Sequence, residues 1–201
     1  AMVDVPLFVT VVEVEVARSA VIAGWVLSAL TAAMALTAYL GGRLAERFSY
    51  RLPILAGLIA SVIGFALMGT GWTPDIGYGT MAWQLALLGA GFGLVIAPTA
   101  AAVVDAATPD RIGTAASLVM VLRLIGLSVG LAGLTAWGLH RYGELRGTIE
   151  LPPISDPTYT DVLARAQAEL TTSALAETFV AAAVVAAGGL AFGLAIRPRQ
   201  P

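Results

Sequence analysis

The chain has 201 residues, of which 58% are hydrophobic and 12% charged, with a formal net charge of -2 and a mean hydropathy of +0.86. A soluble domain carries about a quarter charged residues to cover its surface, so this composition excludes a water-covered globule and points to a membrane protein surrounded mostly by lipid. With no lysine, no cysteine and one histidine, His140, the chain has no basic face for nucleic acid, no thiolate or disulfide chemistry and no paired-histidine metal site; neither a metal nor a cofactor is expected.

In chain order, Val5 to Val12 is the first apolar run. It is too short to cross a bilayer, which takes about 20 residues, so residues 1–12 read as the outer end of a truncated helix and the chain as a fragment. Five longer apolar runs follow, at 20–40, 53–71, 81–104, 114–137 and 174–196. They lack the period-two alternation of a barrel strand, and in lipid only helices or closed barrels satisfy every backbone group. The expected fold class is therefore an all-α, polytopic membrane helix bundle.

Between the first two of these spans lies "GGRLAERFSYR", residues 41–51, with three arginines and a glutamate. Basic residues stay on the cytoplasmic side. A cytoplasmic 41–52 loop places Arg43, Arg47, Arg51, Arg111, Arg197 and Arg199 together on that face, with the C-terminus. The other face receives a mixture including Glu13, Glu15, Asp75, Glu144, Asp156, Asp161, Arg141 and Arg165.

The last two helices are expected to outrun the membrane. Asp156-Pro157 is a capping residue followed by proline at the first helical position, and nothing breaks the pattern before Pro198. A helix from Pro157 to Ile196 spans about 60 Å, against a hydrocarbon core of about 30 Å. Tyr159, Leu163, Ala166 and Leu170 recur at helical spacing, and Leu139, Tyr142 and Leu145 form a matching stripe. An external helical hairpin over 138–173, turning through "GTIELPPISDP", accounts for both.

Two motifs suggest chemistry and lack its context. "GLSVG", 126–130, fits the Gly-x-Ser-x-Gly pattern with Ser128 as nucleophile, but it lies mid-helix. The one candidate base, His140, is about 18 Å further along the same helix, where proton transfer needs about 3 Å. "GAGFG", 89–93, neither follows a strand nor opens a helix as a dinucleotide loop requires. Close helix packing by Gly89, Gly91 and Gly93, with Pro98 bending the same helix and Gly126 and Gly130 serving the next, is the better account. No catalytic residue is assigned.

Three ionisable residues stand within apolar runs. Arg123 lies about 14 Å into its helix, Asp4 lies about two turns into the truncated one, and Glu177 is nearer the outer boundary. Charges at such depth are costly and are usually paired or line a water-filled path, so Asp4, Arg123 and Glu177 are candidates for a proton or ion-pair pathway.

"GRLAERFSYR", Gly42 to Arg51, resembles the loop signature of the major facilitator superfamily, Gly-x-Leu-Ala-Asp-Arg-x-Gly-Arg-Arg. Gly42, Leu44, Ala45, Arg47 and Arg51 match, whereas Glu46 replaces the aspartate, Ser49 the glycine and Tyr50 the first closing base. Residues 89–130, with Pro98, Pro109, Gly113, Ser117, Arg123, Gly126 and Gly130 in order, resemble the tail of the EmrB/QacA-type drug-proton antiporters. "MVDVPLF" and "LTAWGLHRYGEL" resemble its mycobacterial triacylglyceride-exporter branch. The resemblance covers the whole chain as the C-terminal six-helix half of such a transporter, in the bacterial inner membrane. It implies proton-coupled export of a lipid or hydrophobic small molecule by alternating access, with Gly42, Arg43, Glu46, Arg47 and Arg51 as a cytoplasmic gating loop. It also implies three partners: the missing N-terminal half, protons and a periplasmic lipoprotein. Multidrug efflux by the same machinery, or a non-transporting membrane scaffold, are the alternatives.

Overall fold

The computed structural model describes Pro6, Val9 and residues 16–147 and 158–195. Five helices account for nearly all of them: α1 (Val16–Arg47), α2 (Arg51–Gly71), α3 (Tyr78–Asp105), α4 (Ile112–Arg146) and α5 (Tyr159–Ala195), with a short 3-10 turn at Pro109–Arg111 before α4. All five are long and apolar enough to cross a membrane, and the fold is an all-α membrane bundle. Asp4, the Asp156-Pro157 cap, most of the "GTIELPPISDP" turn, Arg197, Pro198 and Arg199 lie outside the described residues.

The helix boundaries follow from backbone chemistry. Proline is tolerated in a first turn, where its missing N–H has no helical acceptor; Pro53 sits there in α2, and Pro109 opens the 3-10 turn after α3 ends. Within the helices, hydroxyls that find no water donate back to the preceding turn. Ser61 bonds to Gly57 O at 2.9 Å, Thr37 to Ala33 O at 2.8 Å and Thr178 to Ala174 O at 2.8 Å.

The helix α3 is the centre. It runs parallel to α1 on one side, where a Cβ on Gly89 would lie 2.9 Å from the Leu30 carbonyl carbon and one on Gly93 would lie 2.7 Å from Ala38 N. It runs antiparallel to α2 on the other, where a Cβ on Gly91 would lie 2.7 Å from Gly57 O and 2.8 Å from Ser61 N. Gly89 and Gly93, four apart, thus serve one face and Gly91 the other. Each removes a side chain where two backbones approach too closely to admit one. Pro98, in the same helix, is buried.

On the far side of α2 lies α5, antiparallel to it. Gly69 approaches Ala176 O, Gly193 faces Leu55, and Phe179 is the largest fully buried side chain. Its ring stacks with Phe65 at 6.4 Å and meets the edge of Trp72 at 5.0 Å. The Trp72 indole N–H, in the loop after α2, donates to buried Gln84 Oε1 at 2.9 Å, which settles both polar groups inside an apolar core.

The helix α4 is different: none of its residues is buried. Half-buried positions occur at Ala115 and Val119 and again from Leu134 through Gly138, Arg141, Tyr142 and Leu145, with the stretch between them bare. Gly126 and Gly130, expected to pack, meet nothing within 4 Å among the described residues. No helix stands close enough to either glycine there to need its missing side chain.

Overpacking against backbone costs about 1–3 kcal/mol. Replacing Gly91 with Ala places a methyl against Gly57 O and Ser61 N. The thermal midpoint of the full-length protein in detergent is expected to fall clearly with Gly91→Ala, and to hold with Gly143→Ala, whose Cβ meets only open space. Equal midpoints would contradict the close approach of α2 and α3.

Candidate functional site

Two clusters of polar groups stand out, at opposite ends of the bundle. The first is the 41–52 junction between α1 and α2. Arg43 stacks over the Tyr39 ring at 4.8 Å, while Glu46 and Arg47 are exposed and Gly42 has nothing within 4 Å of its Cβ position. The charged residues of this loop therefore do not pair with one another. The polar contacts that tie it to other helices come from Tyr50 and Arg51. The Tyr50 hydroxyl donates to the Asp105 carboxylate at the end of α3, and Arg51 Nη2 donates to Leu194 O at 3.0 Å, in the last turn of α5.

Both contacts have a physical reason. The final carbonyls of a helix lack donors and carry partial negative charge, so the Arg51 guanidinium caps α5. The carboxylate that accepts the Tyr50 proton holds the phenol above its usual range, with burial and the nearby charge of Glu46 adding to the effect. Tyr50 thus remains a donor at physiological pH. Tyr50 occupies a position where the resemblance leads one to expect a base, and Asp105 carried no assignment. The only signal in the sequence was a lone acid ending an otherwise apolar run.

The second cluster joins α4 to α5. Arg141 donates from Nη2 to Glu177 Oε1 at 2.8 Å and from Nε to the other carboxylate oxygen, and from Nη1 to Glu144 on its own helix. His140 Nε2 stands 3.4 Å from Glu144 Oε1. Glu177, one of the three apolar-run charges, is thus clasped by a bidentate arginine that sequence reading had assigned only to a mixed outer face. Gly138 makes the clasp possible: a Cβ there would lie 3.1 Å from Thr178 Oγ1, so the helices meet closely one turn away. The stripe expected to mediate this contact is shifted. Leu139 is 68% exposed, because the near face of α4 runs through Gly138, Arg141, Tyr142 and Leu145 instead.

These contacts fix the register of the ends. Gly69 is two residues from the end of α2 and lies against Ala176 and Val180. From that level α5 continues to Tyr159, about 25 Å further at 1.5 Å per residue. From Gly138, level with Thr178, α4 continues to Arg146, about 12 Å further. Leu170 is buried in this overrun, and Tyr159, Leu163 and Ala166 are half-buried. By the same register those three lie past the described end of α4.

Arg123 sits in the bare stretch of α4. It is exposed, Nη2 is 3.4 Å from Ile96 O on α3, and no carboxylate pairs with it among the described residues. Ile96 is two residues before the buried Pro98. One residue nearer the helix start, Val95 O accepts from Thr99 Oγ1 at 2.6 Å. The structure does not bring Arg123 near Glu177, and Ser128 and His140 lie twelve residues apart on the single helix α4.

No protein-family model matches the chain. The chain is similar to a triacylglyceride transporter of Mycolicibacterium smegmatis, 33% identical over 94% of this chain and 38% of the relative. It is also similar to one of Mycobacterium tuberculosis, 30% identical over 99% of this chain and 40% of the relative, and to one of Mycobacteroides abscessus, 32% identical over 68% and 29%. It thus spans about two fifths or less of the length of these curated relatives, which are named as transporters and not as enzymes.

Proposed function

We propose that this chain is the C-terminal half of a major facilitator exporter of the EmrB/QacA type, one that moves a lipid or similarly hydrophobic cargo out of the bacterial inner membrane. The observation that carries the reading is the overrun of α4 and α5 past the end of α2. A cargo that dissolves in water needs no apolar support beyond the headgroups. A lipid does, because exposing its chains to water costs about 25 cal/mol per Å². The similarity to triacylglyceride transporters supports the same cargo class.

In this reading the arginine-bearing 41–52 loop faces the cytoplasm, and the overrun stands on the other side, where it shelters the cargo and meets a periplasmic lipoprotein. The two halves of the whole transporter rock about a central cavity, driven by protons. Arg123, on α4, which buries no residue, holds a negative partner supplied by the other half or by the cargo, and Asp4 is the proton or ion-pair site. Tyr50 and Arg51 tie the cytoplasmic ends of α3 and α5 to the gating loop, so that closing the loop draws three helices together.

Two measurements test this in the full-length transporter reconstituted into proteoliposomes. Replacing residues 146–169 with a short Gly-Ser turn should abolish transfer of labelled triacylglyceride. Unimpaired transfer would instead favour a small-drug antiporter. Arg123→Ala should lower proton-driven transport by about tenfold or more, since removing one partner of a buried charge pair leaves the other uncompensated at a cost of about 3–5 kcal/mol. Undiminished transport at equal protein level would remove Arg123 from the mechanism.

A further inference from the structure

We infer that Arg141 and Glu177 are positioning residues for transport: their ion pair is the pin that fixes α4 to α5 at the base of the overrun, so that the two extensions move as one body with the bundle. The inference rests on the exporter reading for its consequence, though not for its geometry.

Three observations converge on the pair. First, α4 has little else to hold it. It buries no residue, its half-buried positions lapse between Val119 and Leu134, and Gly126, Gly130 and Gly133 face open space among the described residues. Second, the pair has the geometry of a fixed joint and not of an incidental surface contact. Both carboxylate oxygens of Glu177 accept from the Arg141 fork, whose remaining terminal nitrogen is anchored to Glu144. A bidentate fork sets the angle as well as the distance between two helices. Side chains of both residues are about two-thirds covered, Arg141 being 31% and Glu177 37% exposed, which lessens the solvent screening that weakens surface pairs.

Third, the pair sits within the supported stretch of α5, at the level where α2 ends. On α5, buried residues run from Leu170 to Ala182 and then stop. Within that stretch α5 is flanked by α2 through Gly69 and by α4 through Gly138, and beyond it Gly189 and Gly193 meet only Leu58 and Leu55 of α2. Arg141–Glu177 lies about two turns past the bare stretch of α4, at the level where α2 ends. A hinge at that point would let the α4 extension swing free of α5; a clasp prevents it. The titratable groups facing the joint among the described residues, Glu144 and His140 beside Arg141 and Glu177 across from it, all lie in this one network.

The test uses the full-length transporter in proteoliposomes, with cysteines placed at 138 and 178, where Gly138→Cys and Thr178→Cys bring two thiols within bridging reach. The native chain described here contributes none of its own. Oxidative cross-linking is measured in this background, and lipid transfer in the protein that keeps Gly138 and Thr178, for Arg141→Glu, Glu177→Arg, the double exchange, and the near-isosteric Glu177→Gln. Each single change is expected to slow cross-linking and transfer by about tenfold, and the exchanged pair to recover both to within about threefold, the range of coupling measured for contacting charged residues. Normal cross-linking and transfer in Glu177→Gln, or an exchanged pair no better than either single change, would overturn the pin. So would lost transfer with cross-linking intact, which would make Glu177 a charge used by transport itself. If the unaltered protein moves no lipid while cross-linking still follows the charge pair, the exporter reading fails and the joint stands.

Discussion

The bundle depends on how closely helix backbones approach α3. In lipid there is no hydrophobic force to drive two apolar helices together, so association relies on dense van der Waals contact and on the few polar groups that find partners. Gly89 and Gly93 let α1 reach one side of α3, and Gly91 with Gly57 lets α2 reach the other. With three helices locked on bare backbone, the Phe65, Trp72, Phe179 cluster joins α5 to the outer face of α2, and the Trp72–Gln84 bond ties the loop after α2 to α3. Four helices thus form a packed body, and it is against this body that the fifth is loose.

That contrast gives the fold a division of labour. A helix with no buried residue, supported near its start by α3 and near its end by α5, is suited to face a partner that arrives from outside the chain. Arg123 lies in its bare stretch, with Nη2 3.4 Å from Ile96 O on α3. At one end of the bundle Tyr50 and Arg51 gather helix termini by hydrogen bonds to a carboxylate and a helix-end carbonyl; at the other, Arg141 and Glu177 join two helices side by side. Both are charge-assisted contacts, which are stronger than hydrogen bonds between neutral groups.

Much of this was legible in the sequence. Uninterrupted apolar runs without period-two alternation mark helices, because in lipid only helices or closed barrels satisfy the backbone. The unbroken pattern from Pro157 to Ile196 marks a helix longer than a bilayer, and the structure has one of 37 residues at Tyr159–Ala195. The glycines of "GAGFG" could be read as packing residues; that they divide between two partners could not, since that depends on which helices flank α3. The same limit explains Gly126 and Gly130: a glycine pair on an apolar helix looks alike whether or not a neighbour is present. Partner choice among charges was hidden for a related reason. Arg141 and Glu177 are 36 residues apart, and only the register set by Gly138 brings them together. Tyr50 looked like a weakened motif because its acceptor, Asp105, lies 55 residues away.

The central claim is spatial: the 41–52 junction and the α4–α5 overrun lie on opposite sides of a membrane, with the overrun outside the cell. Single cysteines at positions 46 and 163 of the full-length protein, in an otherwise cysteine-free background, report this directly through labelling of intact cells by a membrane-impermeant maleimide. Labelling at 163 without lysis, and at 46 only after it, is the predicted result. Labelling at 46 in intact cells, or at both positions equally, would contradict the account.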